Sequence, residues 1–546
     1  MSIRATHTVA RFFRASPLRH ARFRLFYFGS VAVALGYTIQ ATVAAWLMAT
    51  LTPSALMVAL VQTASTLPTL LFGLAAGALA DIIERRRIIV ATQVLLIAAT
   101  AAIGVAELLD VLGPVSLLLG TFVIGAGFTF CIPAQQACIN DLVERADLPG
   151  ALGLGAAAFN VARAVGPALA GGIAAWLGSG SAFLTSAAFF AVMIFAVRGW
   201  KAQESAIPGV PDTLFSGIRS GLRYARHSPP MRALIGRNLS FAICASALWA
   251  LLPVIARDQL GLGAGGFGML SASFGIGAVV GALTIPRHLH RISLNTVVTA
   301  GSFLWIAAAL LIASTGIAAI AVAGMSAAGV AWVAVFPSLT AGTQSTAPAW
   351  VRARAMAMNM VAMQASLALG SVIWGWVASL SDTRMALAAS AGALLVLLAL
   401  TYKVRVRMGD EADVTPGMQL PELAIAAEPL PDDGPVLIQL QYQIDPNNGP
   451  AFLRAIHATE PIRRRNGASD WRVFRDLGED GRFVERFIVA SWAEYVRLRS
   501  RMTMTDQQAH DRVEEFLQPG SKIAVSRLIS TSVRDNPPGT AKAKPG

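Results

Sequence analysis

The chain has 546 residues, of which 55% are hydrophobic and 14% charged, and its formal net charge is +13. Soluble globular chains are usually about 25% charged, so a water-soluble enzyme of this size does not fit. The charge is unevenly placed: residues 1–402 hold 24 basic and 11 acidic side chains, whereas 403–546 hold 20 of each. The basic excess lies in loops between apolar runs, which argues against nucleic acid and for a lipid bilayer as partner.

In chain order, 1–22 read as a basic cytoplasmic N-terminus, with Arg4, Arg11, Arg14, Arg19 and Arg22 ahead of or at the first apolar run. No short apolar region with a small-residue cleavage site is present there, so no removable signal peptide is read. A helix needs roughly 20 mostly apolar residues to cross the hydrocarbon core. That ruler predicts spans near 23–49, 55–80, 87–108, 113–134, 151–177, 181–199, 233–256, 265–286, 293–315, 317–341, 352–380 and 384–402. The expectation is an all-α bundle of two six-helix halves, 23–199 and 233–402, joined by a cytoplasmic loop at 200–232.

One set of loops carries the N-terminal arginines, Arg85-Arg86-Arg87, the connection from Arg198 to Arg237, Arg287 and Arg291, Arg352 and Arg354, and Lys403-Arg405-Arg407. The alternate set has only Arg257 and Arg384, each near an Asp. Positive charge stays cytoplasmic, which predicts an inner-membrane protein with both termini inside.

The halves repeat at an offset of about 204 residues: Gly73 and Gly77 match Gly277 and Gly281, Gly125 matches Gly329, Pro133 matches Pro337, Gly166 matches Gly370 and Gly171 matches Gly375. A parallel duplication of this kind predicts a binding site between the halves near the membrane midplane.

Gly77-Ala-Leu-Ala-Asp81-Ile-Ile-Glu84-Arg85-Arg86-Arg87 resembles the signature loop between the second and third spans of the major facilitator superfamily. The resemblance implies close packing at Gly77, capping or cross-half pairing by Asp81, and a cytoplasmic latch made with Arg85 and Arg86. Glu84 stands where that pattern usually has Gly. Asn160-Val-Ala-Arg163-Ala-Val-Gly166-Pro167-Ala-Leu-Ala-Gly171 is similar to the antiporter signature of the superfamily's exporters. Small residues let helices touch backbone to backbone, and Pro removes a helical hydrogen bond and bends the segment. Gly166, Pro167 and Gly171 therefore form a candidate bend. With Phe23-Arg24-Leu-Phe26-Tyr-Phe28-Gly29 and Trp46-Leu47, the chain resembles the enterobactin-exporter-like branch, the transmembrane secretion effectors. That resemblance implies a secondary transporter exporting a siderophore-like amphipathic molecule by alternating access, with protons as the usual coupling ion. The rival readings are a broader drug or metabolite efflux pump and a membrane-tethered monooxygenase-like protein.

Arg163 sits about twelve residues into its span, hence ~18 Å deep, where a charge should face the interior or water and have a partner. Two readings stand: it meets an anionic group of the cargo, or it is satisfied by carbonyls, Asn160 and waters. Asn160, Gln40, Gln135, Gln364 and Trp46 complete the candidate cavity, with Gln62, Trp249 and Trp332 as further polar or aromatic wall. Cys131, Cys138 and Cys244 show no paired spacing and the histidines are scattered, so neither metal nor cofactor is expected.

Residues 403–434 read as a linker. From 435 to 530 the pattern changes to a period of two, Val436, Ile438, Leu440, Tyr442 and Ile444 alternating with glutamines. A helix near 447–465, a hairpin around Gly478–Gly481, a helix near 493–517 and a last strand at 523–528 give βαββαβ, a ferredoxin-like order. This domain resembles the dimeric α+β barrels related to antibiotic-biosynthesis monooxygenases, which implies a possible homodimer contact. His457, Trp471 and His510 are its candidate catalytic side chains, but their spacing makes no constellation, and the chain is read as a non-enzyme. Residues 531–546 read as a disordered tail.

Overall fold

The computed structural model describes residues 17–144, 146–198, 214–288, 291–415, 417 and 429–530. Most of the basic arm, much of the 200–232 connection and of the linker, and the 531–546 tail lie outside them. Twelve of the described helices are long and apolar enough to cross a membrane. In the first half they are α1 (Ala21–Leu51), α2 (Ala55–Ile82), α3 (Arg85–Leu108), α4 (Pro114–Leu142), α5 (Leu148–Leu177) and α6 (Ser179–Val197). A helix outside the twelve, α7 (Leu214–His227), precedes the second half. That half comprises α8 (Pro229–Val254), α9 (Ala264–His288), α10 (Leu294–Ser314), α11 (Ala318–Thr346), α12 (Ala349–Leu380) and α13 (Thr383–Leu400). The architecture is the twelve-helix bundle read from the sequence, with a four-stranded α+β domain after it.

Helix ends follow local chemistry. Ser54 and Ser293 cap α2 and α10 by accepting from Met57 N and Thr296 N, and Asp382 caps α13 by accepting from Met385 N. The apolar ruler underestimates three helices at the arginine-rich end. There α4 runs to Leu142 and α11 to Thr346, while α8 starts at Pro229. Arg237 stands eight residues into α8, within the span predicted over 233–256. Polar residues extend a helix beyond its apolar stretch wherever their heads reach neighbours or water, which hydropathy alone does not register.

The chain forms two compact units, the first of residues 1–210, 235–340 and 359–406. Within it the repeated glycines do the same job twice. A Cβ at Gly166 of α5 would overlap Thr38 of α1, and one at Gly370 of α12 would overlap the Ile243 carbonyl of α8. Gly125 of α4 lies against the Ser65 carbonyl of α2, as Gly329 of α11 lies against the Phe274 carbonyl of α9. Gly171 of α5 abuts Gly268 of α9, while Gly375 of α12 abuts Leu56 and Ala59 of α2. Each pair joins corresponding helices under the 204-residue shift, so the internal repeat is a repeat of packing and not of composition alone.

The second unit comprises residues 211–234, 341–358 and 407–546. Its sheet has strands β1 (Val436–Gln443), β2 (Ser469–Arg475), β3 (Arg482–Val489) and β4 (Ala524–Ile529) in the antiparallel order β2-β3-β1-β4. This is the ferredoxin-like order expected. Each expected helix is two. The first divides into α14 (Gly449–His457) and α15 (Glu460–Asn466), since Pro461 cannot donate to the carbonyl four residues back. The second divides into α16 (Trp492–Ser500) and α17 (Met504–Glu514), because Thr503 and Asp506 form a reciprocal capping box that starts a new helix. The buried faces of β1 and β3 gather Val436, Ile438, Tyr442, Phe483, Phe487 and Val489 with Phe452, Trp471, Trp492 and Tyr495 into one core.

That unit also contains α7 and the arginine-rich ends of α8, α11 and α12. Glu494 of α16 receives Arg223 of α7 at 2.6 Å, Arg501 at 2.9 Å and Arg497 at 3.1 Å. The Arg501 guanidinium lies 4.4 Å from the ring centroid of Trp350 in α12, and Arg465 lies 5.9 Å from that of Tyr224 in α7. The start of the linker is held too: Gly409 N donates to Ser345 Oγ at 3.0 Å and Gly417 N to Met502 O at 2.9 Å.

Candidate functional site

A cavity of about 410 Å³ lies in the first unit, lined by α1, α2, α4 and α5 of one half and α8, α9, α11 and α12 of the other. The same four helices of each half contribute, as a duplicated bundle requires. Aromatic and thioether side chains line part of it, Tyr37, Phe128, Phe159, Phe267, Trp249, Trp332, Met360 and Met363, and an equal number of hydroxyl and amide side chains, Thr66 and Gln364 among them, also line it. Tyr37 stacks on Phe128 at 3.9 Å, and Trp249 and Trp332 are held edge-on to Phe274 at 4.5 and 6.0 Å. These rings are fixed by the packing behind them, so the cavity has rigid sides on this face.

Arg163 lines the cavity, half-buried, with its guanidinium 5.2 Å from the centroid of Phe159 one turn earlier on α5. Among the described residues, no carboxylate lines the cavity. A narrower lobe of about 50 Å³ shares Tyr37, Gln62 and Trp249 with the main cavity and is also lined by Gln40. Gln40 Nε2 and Trp249 Nε1 are buried without a hydrogen-bond partner. Buried donors are nearly always satisfied. The cavity and its lobe therefore bring together two unsatisfied donors and a guanidinium with no acidic group among them.

Of the residues singled out in the sequence, Arg163, Gln364 and Pro167 line the main cavity and Gln40 the lobe. Trp46 is buried behind it, stacked at 5.7 Å on Phe267, which does line it. Asn160 and Gln135 are not among the lining residues. Gln135 Nε2 donates to Cys131 Sγ at 3.1 Å, and Gln93 Nε2 donates to the same sulfur at 3.1 Å. Gly166 fits against Thr38, whose hydroxyl donates to Ala162 O at 3.2 Å. Tyr37, Met360 and Met363 carried no signal beyond hydrophobicity, since a helical stripe does not say which residues face a cavity.

Near the end bearing Gly178, α5 touches α9 at Gly171 and Gly268, and α12 touches α2 at Gly375 and Ala59. Open positions occur at both ends: among the described residues, Gly77, Gly153 and Gly155 towards the arginine-rich end, and Gly172 and Gly178 towards the other, have nothing within 4 Å of a would-be Cβ. The loop from Gly77 ends α2 at Ile82. Arg85 donates to Asp141 at 2.5 Å and to Ala137 O at 3.2 Å, and Arg86 donates to Arg198 O at 3.0 Å. These arginines tie α3 to α4 and to the end of α6 within one half. The Asp81 side chain lies outside the described residues.

In the second unit the three candidate catalytic side chains do not converge. His457 meets Trp471 edge-on at 5.3 Å, while His510 lines a different, 280 Å³ hollow with Arg463 and Tyr442. Trp471 Nε1 donates to buried Glu485 Oε1 at 2.8 Å, Arg463 Nε donates to the same oxygen at 3.0 Å, and Tyr442 Oη donates to Oε2 at 2.8 Å. Burial works to raise the Glu485 carboxyl, but the Arg463 guanidinium and these donors outweigh it and hold it below the ordinary carboxylate range. The cluster is a satisfied core charge. Neither Glu485 nor Arg463 had a signal in the sequence: Glu485 sits at an inward strand position, where apolar residues are expected, and Arg463 is one of three consecutive arginines in α15 that read as a solvated helix face.

Comparison with known proteins gives consistent answers. Residues 13–535 match the family model described as transmembrane secretion effector. The chain is 28% identical over 222 residues to the multidrug efflux pump Tap of Mycolicibacterium fortuitum, covering 38% of this chain and 53% of that one. The chain thus spans about half the length of that relative. It is 29% identical over 356 residues to the uncharacterized MFS-type transporter y4rN of Sinorhizobium fredii, covering 62% and 83%. It is 22% identical over 284 residues to the staphyloferrin A transporter of Staphylococcus aureus, covering 52% and 71%. Among solved structures, a bacterial homolog of the human lysosomal transporter Spinster superposes with a TM-score of 0.59 at 14% identity, over 71% of this chain and 97% of that one. The nucleoside transporter NupG superposes with a TM-score of 0.57 at 14% identity, over 70% and 99%.

Proposed function

We propose that this chain, which belongs to the transmembrane secretion effector family and has the major facilitator fold, exports an amphipathic small molecule bearing anionic or acceptor oxygens. It is a multi-pass membrane transporter; the cargo class, the direction and the coupling are the proposal. The observation that carries the cargo class is the donor set. Arg163, Gln40 Nε2 and Trp249 Nε1 present hydrogen-bond donors to one cavity and its lobe, with no lining carboxylate to answer them. A cargo with carboxylate, catecholate or hydroxamate oxygens satisfies those donors, while its apolar body lies against Phe267, Trp332, Met360 and Met363. Siderophore-like molecules combine the two features. The staphyloferrin A transporter is a relative whose name points the same way.

With the arginine-rich end on the cytoplasmic side of the inner membrane, both termini lie inside and the Gly171–Gly268 and Gly375–Ala59 contacts form an outer seal. Export by alternating access then requires those contacts to part as the arginine-rich end closes. Proton coupling is the simplest drive, and dissipating the proton gradient in vesicles is expected to abolish uptake of cargo.

The test is secretion by cells carrying Arg163→Ala or Arg163→Lys, each checked for insertion. Loss of a cargo–guanidinium contact predicts a fall of 10-fold or more for Arg163→Ala, since charge-assisted bonds contribute about 1.5–3 kcal/mol, and a smaller fall for Arg163→Lys. Unchanged secretion by both variants overturns the anionic-cargo reading. A second reading, broad drug efflux, is favoured by Met360 and Met363 in the wall, whose flexible thioethers adapt to varied shapes. It predicts altered sensitivity to many unrelated compounds, with Arg163→Ala sparing the neutral ones.

A further inference from the structure

Away from the central cavity, a second buried arginine stands without adequate partners. Arg237 of α8 is 5% exposed. Its Nη2 donates to Thr401 O at 3.3 Å, while Nε and Nη1 are buried with no hydrogen-bond partner. It lines a separate hollow of about 240 Å³ between α8, α10 and the end of α13. Thr299 also lines this hollow, and its Oγ1 is likewise buried and unpartnered. Among the described residues, no carboxylate lines it. A guanidinium removed from water with two idle donors is costly unless something anionic completes it.

The rest of the hollow is apolar, from Phe303, Leu395, Leu398 and Ala399. Phe303 and Leu395 are 49% and 47% exposed, so this wall opens on the outside of the bundle, where hydrocarbon lies. Its polar end is level with the helix termini. Asn295 is the second residue of α10, and Thr401 and Tyr402 directly follow α13. From Asn295 to Phe303 the helix rises about 12 Å, which runs the hollow from headgroup depth into acyl-chain depth. Lys403 lies 5.8 Å from the Tyr402 ring at the same level.

We infer that the α8–α10–α13 hollow is a binding site for an anionic phospholipid, its phosphate held by Arg237 and Thr299 and its acyl chain laid along Phe303 and Leu395. A planar guanidinium suits a phosphate bidentately, and basic pockets between membrane helices are a recognised setting for anionic headgroups. A free phosphate would satisfy the donors but leave the apolar wall uncovered. The site depends on neither the cargo nor the direction of transport.

The full chain is purified in detergent, and lipid binding is followed by native mass spectrometry and by thermal unfolding. Phosphatidylglycerol is expected to bind at least 10-fold more tightly than phosphatidylcholine and to raise the unfolding temperature. Arg237→Met is expected to lose that preference, Thr299→Val to weaken it and Arg237→Lys to keep part of it. If Arg237→Met does not fold, Thr299→Val and Arg237→Lys carry the test alone. Equal binding of the two lipids, wild-type selectivity in Thr299→Val and Arg237→Met, or an equal thermal shift from inorganic phosphate alone overturns the inference.

Discussion

His510 shows how a single buried group ties the tail's stability to pH. Its Nδ1 donates to Asp506 O at 2.8 Å, while Nε2 has no partner. Burial, with the Arg463 charge beside it, pushes the imidazole down from 6.5 to about 4. The unfolded chain therefore binds the proton first. The stability of the neutral buried ring is complete above pH 6.5 and is lost as pH falls toward 4, by about 3 kcal/mol. Urea unfolding of the tail, followed through fluorine-labelled Trp471 and Trp492 in the full chain, is expected to show that loss. His510→Gln flattens it. At Glu485 the expectation is larger. Arg463→Met strands a buried carboxylate and costs about 3–5 kcal/mol of tail stability, whereas replacing an exposed pair such as Arg472–Asp470 costs less than about 1 kcal/mol.

At the scale of elements, the glycine contacts set how closely helices of opposite halves approach. A Cβ at Gly171 would stand 2.7 Å from the Ala264 carbonyl and 2.8 Å from Gly268 Cα, both backbone atoms that cannot swing aside. Gly171→Ala must push α5 from α9, and Gly375→Ala must push α12 from α2 in the same way. Both are expected to raise maleimide labelling of a cysteine placed at Ala264 several-fold, and Gly392→Ala, in open space, is expected to leave it unchanged. These contacts were partly legible beforehand. Gly171 and Gly375 shared an offset with five other pairs, and runs of apolar residues marked all twelve helices. What each glycine touches was not legible, because a 3.6-residue period fixes a face but not its neighbour. The same gap explains Gln135, whose polarity suggested cavity and whose amide instead meets Cys131.

At the scale of the whole chain, the α+β domain shares a unit with α7 and with the arginine-rich ends of three membrane helices. Glu494 is the node, and the Arg501 and Arg223 guanidinium groups draw its carboxyl below the ordinary range against the effect of burial. Glu494→Gln removes the charge that gathers Arg223, Arg497 and Arg501. Hydrogen exchange is expected to quicken by 10-fold or more across residues 221–227 and 349–358, and to stay unchanged in α3. Equal exchange in both segments would show that the domain is held by apolar packing instead.

The outer seal proposed above also has an electrical consequence. Arg163 lies eight residues nearer the arginine-rich end of α5 than Gly171, hence about 12 Å from the Gly171–Gly268 contact. If that contact seals the outer end while water reaches the cavity from the cytoplasmic side, the transmembrane voltage falls mainly across the sealed stretch and leaves this guanidinium at the cytoplasmic potential. If the blockage passes to the opposite end during turnover, a stationary side chain changes potential without moving. Up to one elementary charge then moves through the field in that step and back again on the return, with no net transfer per cycle, and each 100 mV biases the two states by as much as about 2.3 kcal/mol. Turnover in vesicles under a potassium–valinomycin potential is expected to respond to voltage even for an electroneutral cargo, and Arg163→Gln to blunt that response.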